Sequence, residues 1–123
     1  MKLLFKTFLI LVISTAFATR LPAAESLEQT INYLLDYIAN SHATFIRNGA
    51  SHTPAEAVEH IKAKYEHLKG EIKTPEDFIR LSASKSLLSG KPYLVRTADG
   101  KEMRLDEWLI EALKAHRTAT HSG

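Results

Sequence analysis

His52, Glu56 and His60 recur every fourth residue in "HTPAEAVEH", and Lys64 extends the series by another turn. On a helix that begins just after Thr53, this spacing brings the four side chains towards one line. A His/Glu/His column is a chemically sensible shell for zinc or another divalent ion. One straight helix, however, would hold its first and last ligands about 12 Å apart at 1.5 Å per residue, and no second cluster completes a shell. No metal and no cofactor is therefore expected. The same residues have ordinary work available: Glu56 can close a capping box and pair with His60 one turn on. A small hydrolase using His60 with Glu56 as its acid/base pair is the catalytic alternative.

Ser82-Ala83-Ser84-Lys85 fits S-x-x-K, in which a lysine one turn along activates a serine nucleophile. The partner patterns S-D-N and K-T-G are missing, and the chain is far too short for the enzymes that use them. Ser89-Gly90-Lys91 has the glycine and lysine of a phosphate loop, but Pro92 occupies the Ser/Thr position and a strand follows where a helix is required. Arg47, next to Asn48 at a turn, could clamp a carboxylate or phosphate with two parallel N–H donors, or could form a structural salt bridge.

The elements that must position these residues are written mainly in their caps. "SLEQ" from Ser26 is a capping box, and Ile31, Leu34, Leu35 and Ile38 follow at helical spacing, which predicts a first helix to about Ser41. Asn48-Gly49 marks a turn. "TPAE" from Thr53 starts a second helix, whose apolar face is Ala57, Val58, Ile61, Tyr65 and Leu68 and which Gly70 ends. "TPED" from Thr74 starts a third, burying Phe78 and Leu81 and fraying near Ser84. "YLVRT" and "KEMRL" flank Asp99-Gly100, a hairpin signal, and a last amphipathic helix follows from Asp106 through Trp108, Leu109, Ala112 and Leu113. The expected fold is α+β, mainly α: about four helices with a short two-stranded β-hairpin before the last one.

The first eighteen residues belong to a different class. Lys2 and Lys6 form a positive start, "TFLILVISTAFA" an apolar run, and Ala16-Phe17-Ala18 a small-x-small cleavage site, the pattern of a secretory signal peptide. The run is shorter than the roughly 20 residues that span a bilayer. Residues 1–18 are thus expected to be a leader and residues 19–123 one small domain with its core at about 27–116. The mature protein is expected in the periplasm of a Gram-negative-type envelope, without a membrane span.

Cleavage removes Lys2 and Lys6 from the 16 basic residues and none of the 14 acidic ones, leaving a formally neutral chain. A nucleic-acid partner, which calls for a basic excess or stripe, is not expected. With no cysteine, lipoprotein anchors, thiol nucleophiles and disulfides are excluded, so stability must come from packing.

Ser89 to Tyr93, S-G-x-x-Y, is similar to a loop that some periplasmic lysozyme inhibitors insert into the enzyme cleft, although those inhibitors are rich in β-structure. A broader likeness lies in "FIRNG" (Phe45 to Gly49), His52, "EAVEHIKAKY" (Glu56 to Tyr65) and "FIRLSASKSLLSGKPYLV" (Phe78 to Val95). In this order and spacing the chain resembles the YfeK-like family of small exported bacterial proteins, also known as the DUF5329 domain, over roughly Leu27 to Trp108. No established activity comes with that resemblance. It does imply a shared surface, because the family's recurring polar positions match Arg47, Asn48, Gly49, Glu56, His60, Lys64, Ser84, Ser86, Ser89, Gly90, Lys91 and Tyr93. From these, Arg47, Asn48, Glu56, His60, Lys64, Ser86, Ser89, Lys91 and Tyr93 are the candidate binding residues. The expected role is a small binding or interaction module for an anionic or carbohydrate-like ligand, or a protein, of the cell envelope. Inhibition of a cell-wall hydrolase through Ser89–Tyr93 is a further alternative.

Overall fold

A computed structural model describes residues 24–121, so the leader expected over residues 1–18 and its cleavage site lie outside the described residues. Helix α1 (Leu27–Ala39) opens on the expected capping box: Ser26 Oγ accepts from Gln29 N, and Gln29 Oε1 accepts from Ser26 N. Its buried stripe is Ile31, Leu34, Leu35 and Ile38. Helix α2 (Pro54–Leu68) repeats the device with Thr53 and Glu56. It ends two residues before Gly70, in a single 3-10 turn over Lys69–Glu71. Helix α3 (Pro75–Ser82) is capped by Thr74, whose hydroxyl accepts from Asp77 N. Helix α4 (Leu105–His121) buries Leu105, Trp108, Leu109, Ala112 and Leu113.

The expectation of a single two-stranded hairpin needs correction. There are four strands in one antiparallel sheet: β1 (Thr44–Arg47), β2 (Ala50–His52), β3 (Leu94–Arg96) and β4 (Glu102–Arg104), in the order β2-β1-β3-β4. The Asn48-Gly49 turn joins β1 to β2, with both residues at positive φ, 51° and 79°, the conformation of a two-residue hairpin loop. Such a turn closes a hairpin only if its flanks are extended, and Phe45↔His52 and Arg47↔Ala50 are in register. The predicted hairpin, β3–β4, docks onto β1 through Phe45↔Val95. A two-stranded ribbon alone is marginal in water; four strands bury one face against the helices.

Phe45 and Val95 enter the core from that face and belong to one buried cluster with Leu34, Ile38, Phe78, Leu109 and Leu113. Phe45 and Trp108 pack edge to face at 5.9 Å, tying the sheet to α4. Among the described residues no helix is long and apolar enough to cross a membrane.

Candidate functional site

Three elements place the site. Arg47 is the last residue of β1, held there by the hairpin turn. His60 and Lys64 stand one turn apart on α2. Tyr93 precedes β3, its carbonyl accepting from Leu105 N at 2.9 Å.

Arg47 Nη1 stands 2.7 Å from both ring nitrogens of His60. His60 Nε2 lies 3.1 Å from the Tyr93 hydroxyl, and the two rings meet edge to face. Lys64 Nζ donates to the same hydroxyl at 3.2 Å and to the carbonyl of Lys85 at 2.9 Å. A tautomer with Nδ1 as the acceptor accounts for the Arg47–Nδ1 and Nε2–Tyr93 contacts but not for Arg47 against Nε2, where both groups would donate. A guanidinium only donates, so Nδ1 of a neutral imidazole accepts from Arg47 while Nε2–H donates to the Tyr93 oxygen. That oxygen already accepts from Lys64, and the phenolic proton is left to point elsewhere. The cluster is rich in donors and poor in acceptors.

Its electrostatics agree. Lys64 is 9 % exposed and has no carboxylate partner among the described residues. Burial, reinforced by Arg47, pushes its pKa down. Burial also lowers the pKa of His60, with Arg47, Lys64 and His52 acting in the same direction. The Tyr93 phenol is pushed up by burial, against the opposing pull of Arg47, and stays neutral at ordinary pH. Burial is the first cause of all three shifts, and the neighbouring cations act in addition on His60 and Lys64.

Beside the cluster opens a cavity of about 340 Å³. Phe45, Ile61 and Leu105 give it an apolar wall, Arg47, His60 and Tyr93 a polar one, and Glu56 and Glu59 also line it. Glu56 does not bond to His60: its Oε1 accepts from Thr53 N at 2.9 Å and lies 3.8 Å from His52 Nδ1. Those partners are the capping work expected of it.

The remaining candidates form an adjoining latch. Residues 84–93 fold back on themselves through Tyr93 N→Ser84 O (3.0 Å), Ser86 N→Lys91 O (3.0 Å) and Gly90 N→Ser86 O (2.9 Å). Ser86, 5 % exposed, accepts through Oγ from Asn48 Nδ2 and Leu88 N, each at 3.2 Å. The Ser89 hydroxyl donates to Asn48 Oδ1. The turn after β1 is thereby tied to the loop that carries Tyr93. Lys91 takes part through its backbone; its side chain is exposed and has no hydrogen-bond or ion-pair partner among the described residues.

The S-x-x-K pattern does not assemble. Ser82 Oγ is buried without a hydrogen-bond partner among the described residues, while Lys85 is exposed and offers its carbonyl to the site. No three His, Asp or Glu side chains converge as metal ligands among the described residues. Sequence reasoning missed the apolar wall, because Phe45, Ile61 and Leu105 carry no signal separating a cavity lining from a core position.

Comparison with known proteins extends the resemblance carried by these motifs. The model of a family of unknown function, DUF5329, matches residues 25–117. A relative named "Uncharacterized protein YfeK", from Salmonella typhimurium, is 42% identical over 67 residues, 54% of this chain and 56% of that protein. The chain thus spans little more than half the length of the curated relative it matches. No solved structure matches. The family match takes in Arg47, His60, Lys64 and Tyr93 together, and the chain belongs to the DUF5329 family.

Proposed function

We propose that this protein is a small binding module, exported to the periplasm, whose site takes the anionic head of a partly apolar ligand. One observation carries the reading: the ammonium of Lys64 is buried, and its partners are a carbonyl and a phenol rather than a carboxylate. A buried cation without a counter-ion costs free energy, and an anion arriving from solution would remove that cost. Arg47 and Tyr93 line the neighbouring cavity, which Lys64 meets through the Tyr93 hydroxyl rather than by lining it, and they supply a second cation and a neutral O–H donor there. The apolar wall would take the ligand's body, leaving Glu56 and Glu59 to disfavour a second negative group.

Other roles find less support. An acid/base pair of His60 with Glu56 lacks the hydrogen bond such a pair needs, since Glu56 is engaged by its helix cap. Presentation of Ser89–Tyr93 to a hydrolase cleft would have to do without Tyr93, which is 5 % exposed and turned into the site.

The test is a thermal-shift series with octanoate, octyl phosphate and octanol. A concentration-dependent rise in Tm with either anion, absent with the alcohol, supports the reading, because only binding to the folded state stabilises it. Equal shifts with all three, or none, would remove it. Selective stabilisation by neutral sugars would transfer the site to a carbohydrate ligand.

A further inference from the structure

The tip of the loop that carries Tyr93 holds the two most exposed large hydrophobic residues among the described residues. Leu88 is 97 % exposed and Leu87 71 %, while the only other large hydrophobic residue exposed among the described residues is Tyr37, at 37 %. Isolated exposed leucines are common, but two consecutive ones at a loop tip held in one conformation are not explained by chance fraying. The holding is specific: Ser86 bonds through its N–H, carbonyl and hydroxyl to Lys91, Gly90 and Leu88, and Asn48 braces the tip from the β1–β2 turn. These bonds fix the backbone that presents the two leucines outward.

Charge identifies what the tip meets. From Phe78 to Ala98 there is no acidic residue, and Lys85 and Lys91 flank the leucine pair on the two arms of the hairpin. Both side chains are exposed, and neither ammonium pairs with a carboxylate among the described residues. Two leucines ringed by free lysines match the boundary of an anionic bilayer, where apolar tips enter the acyl edge and ammonium groups stay among the phosphates. We infer that Leu87 and Leu88 are a shallow membrane-docking tip with Lys85 and Lys91 as its phosphate-binding collar. This inference rests on the exposed tip and stands whether or not the buried cluster binds an anion. The protein then associates with the surface of an anionic bilayer without spanning it.

The experiment is co-sedimentation of the protein, purified from an expressing bacterium, with vesicles that are about one-third phosphatidylglycerol in phosphatidylcholine, a composition that gives a strong surface potential. Parent, L87S/L88S and K85Q/K91Q are compared, so any contribution from the N-terminal residues cancels. The leucine variant should partition at least about tenfold less than the parent. The lysine variant should lose about fivefold per lysine, and the parent should bind neutral vesicles weakly and release from anionic ones in high salt. An L88W variant gives an independent readout, a blue-shifted emission shielded from iodide when vesicles are added. Equal partitioning of the parent and L87S/L88S, or an L88W emission unchanged by vesicles, overturns the inference. A parent that ignores vesicles but loses a purified protein partner on L87S/L88S substitution overturns it in favour of a protein cleft.

Discussion

Lys64 Nζ and the Tyr93 hydroxyl lie 3.2 Å apart at the junction of α2 and the loop before β3, with the ammonium 5.0 Å from the centre of the tyrosine ring. The lysine is stabilised by a phenol oxygen, a carbonyl and a π-face, all weaker partners than a carboxylate. Its position is therefore a cost to the fold. Replacing it with an apolar residue of similar length, Lys64→Met, should leave stability within about 1 kcal/mol of the parent or raise it. Denaturant unfolding checks this; a loss above about 3 kcal/mol would mean that Lys64 is structural.

The depressed pKa of His60 has a definite sign. A group whose folded pKa lies below its unfolded value contributes stability that is complete above the unfolded value, near 6.5, and is lost as pH falls through the folded one. Stability should thus decline from about pH 6.5 downward, and His60→Gln should flatten part of that decline. An anion bound beside the ring should raise its pKa, so affinity should increase as pH falls through the His60 titration. Ring proton resonances followed against pH, with and without octanoate, test both statements. A His60 titration at or above the ordinary range in the free protein contradicts them.

Asn48 joins two tasks, a left-handed turn residue at φ 51° and a brace for the Tyr93 loop. Asn48→Gly keeps the first and removes the second. Ser86→Ala should cost about 1–3 kcal/mol, because it strips a buried hydroxyl that the amide of Leu88 and the Asn48 side chain both use. The double variant should cost less than the sum of the two, with a coupling of about 0.5–3 kcal/mol. Strict additivity in a double-mutant cycle would deny the brace.

Ser82 is fully buried at the end of α3, and its hydroxyl has no hydrogen-bond partner among the described residues. Ser82→Ala should be neutral or stabilising by about 1 kcal/mol, because the desolvated hydroxyl is removed with little change of volume. A clear loss of stability by thermal unfolding would show that the hydroxyl is satisfied in solution.

How much of this was legible in the sequence depends on how local each determinant is. Ser26-Gln29, Thr53-Glu56 and Thr74 announce their helices because a cap is written within four residues. The β1–β2 hairpin was legible only as its turn: strands of four and three residues are too short to display a period of two, and β1 takes its other partner, β3, from far along the chain. The candidate site divides in the same way. The four-residue spacing on α2 gave one face, but of its members only His60 and Lys64 turn to Arg47 and Tyr93, while Glu56 is spent on its cap. Lys91 lies two residues from Tyr93, and alternation along a strand would put both on one face, but both precede β3 in the loop and Lys91 is exposed while Tyr93 is buried.

The most direct measurement is a calorimetric titration of octanoate into the parent, Arg47→Gln and Lys64→Met, with octanol as the neutral control and circular dichroism to show that each variant is folded. The account predicts binding of the anion to the parent, at least about tenfold weaker binding of the alcohol, and a loss of at least about tenfold in each variant, as removal of a charged contact to the anion implies. Folded variants that bind octanoate as tightly as the parent, or a parent that prefers the alcohol, would contradict it.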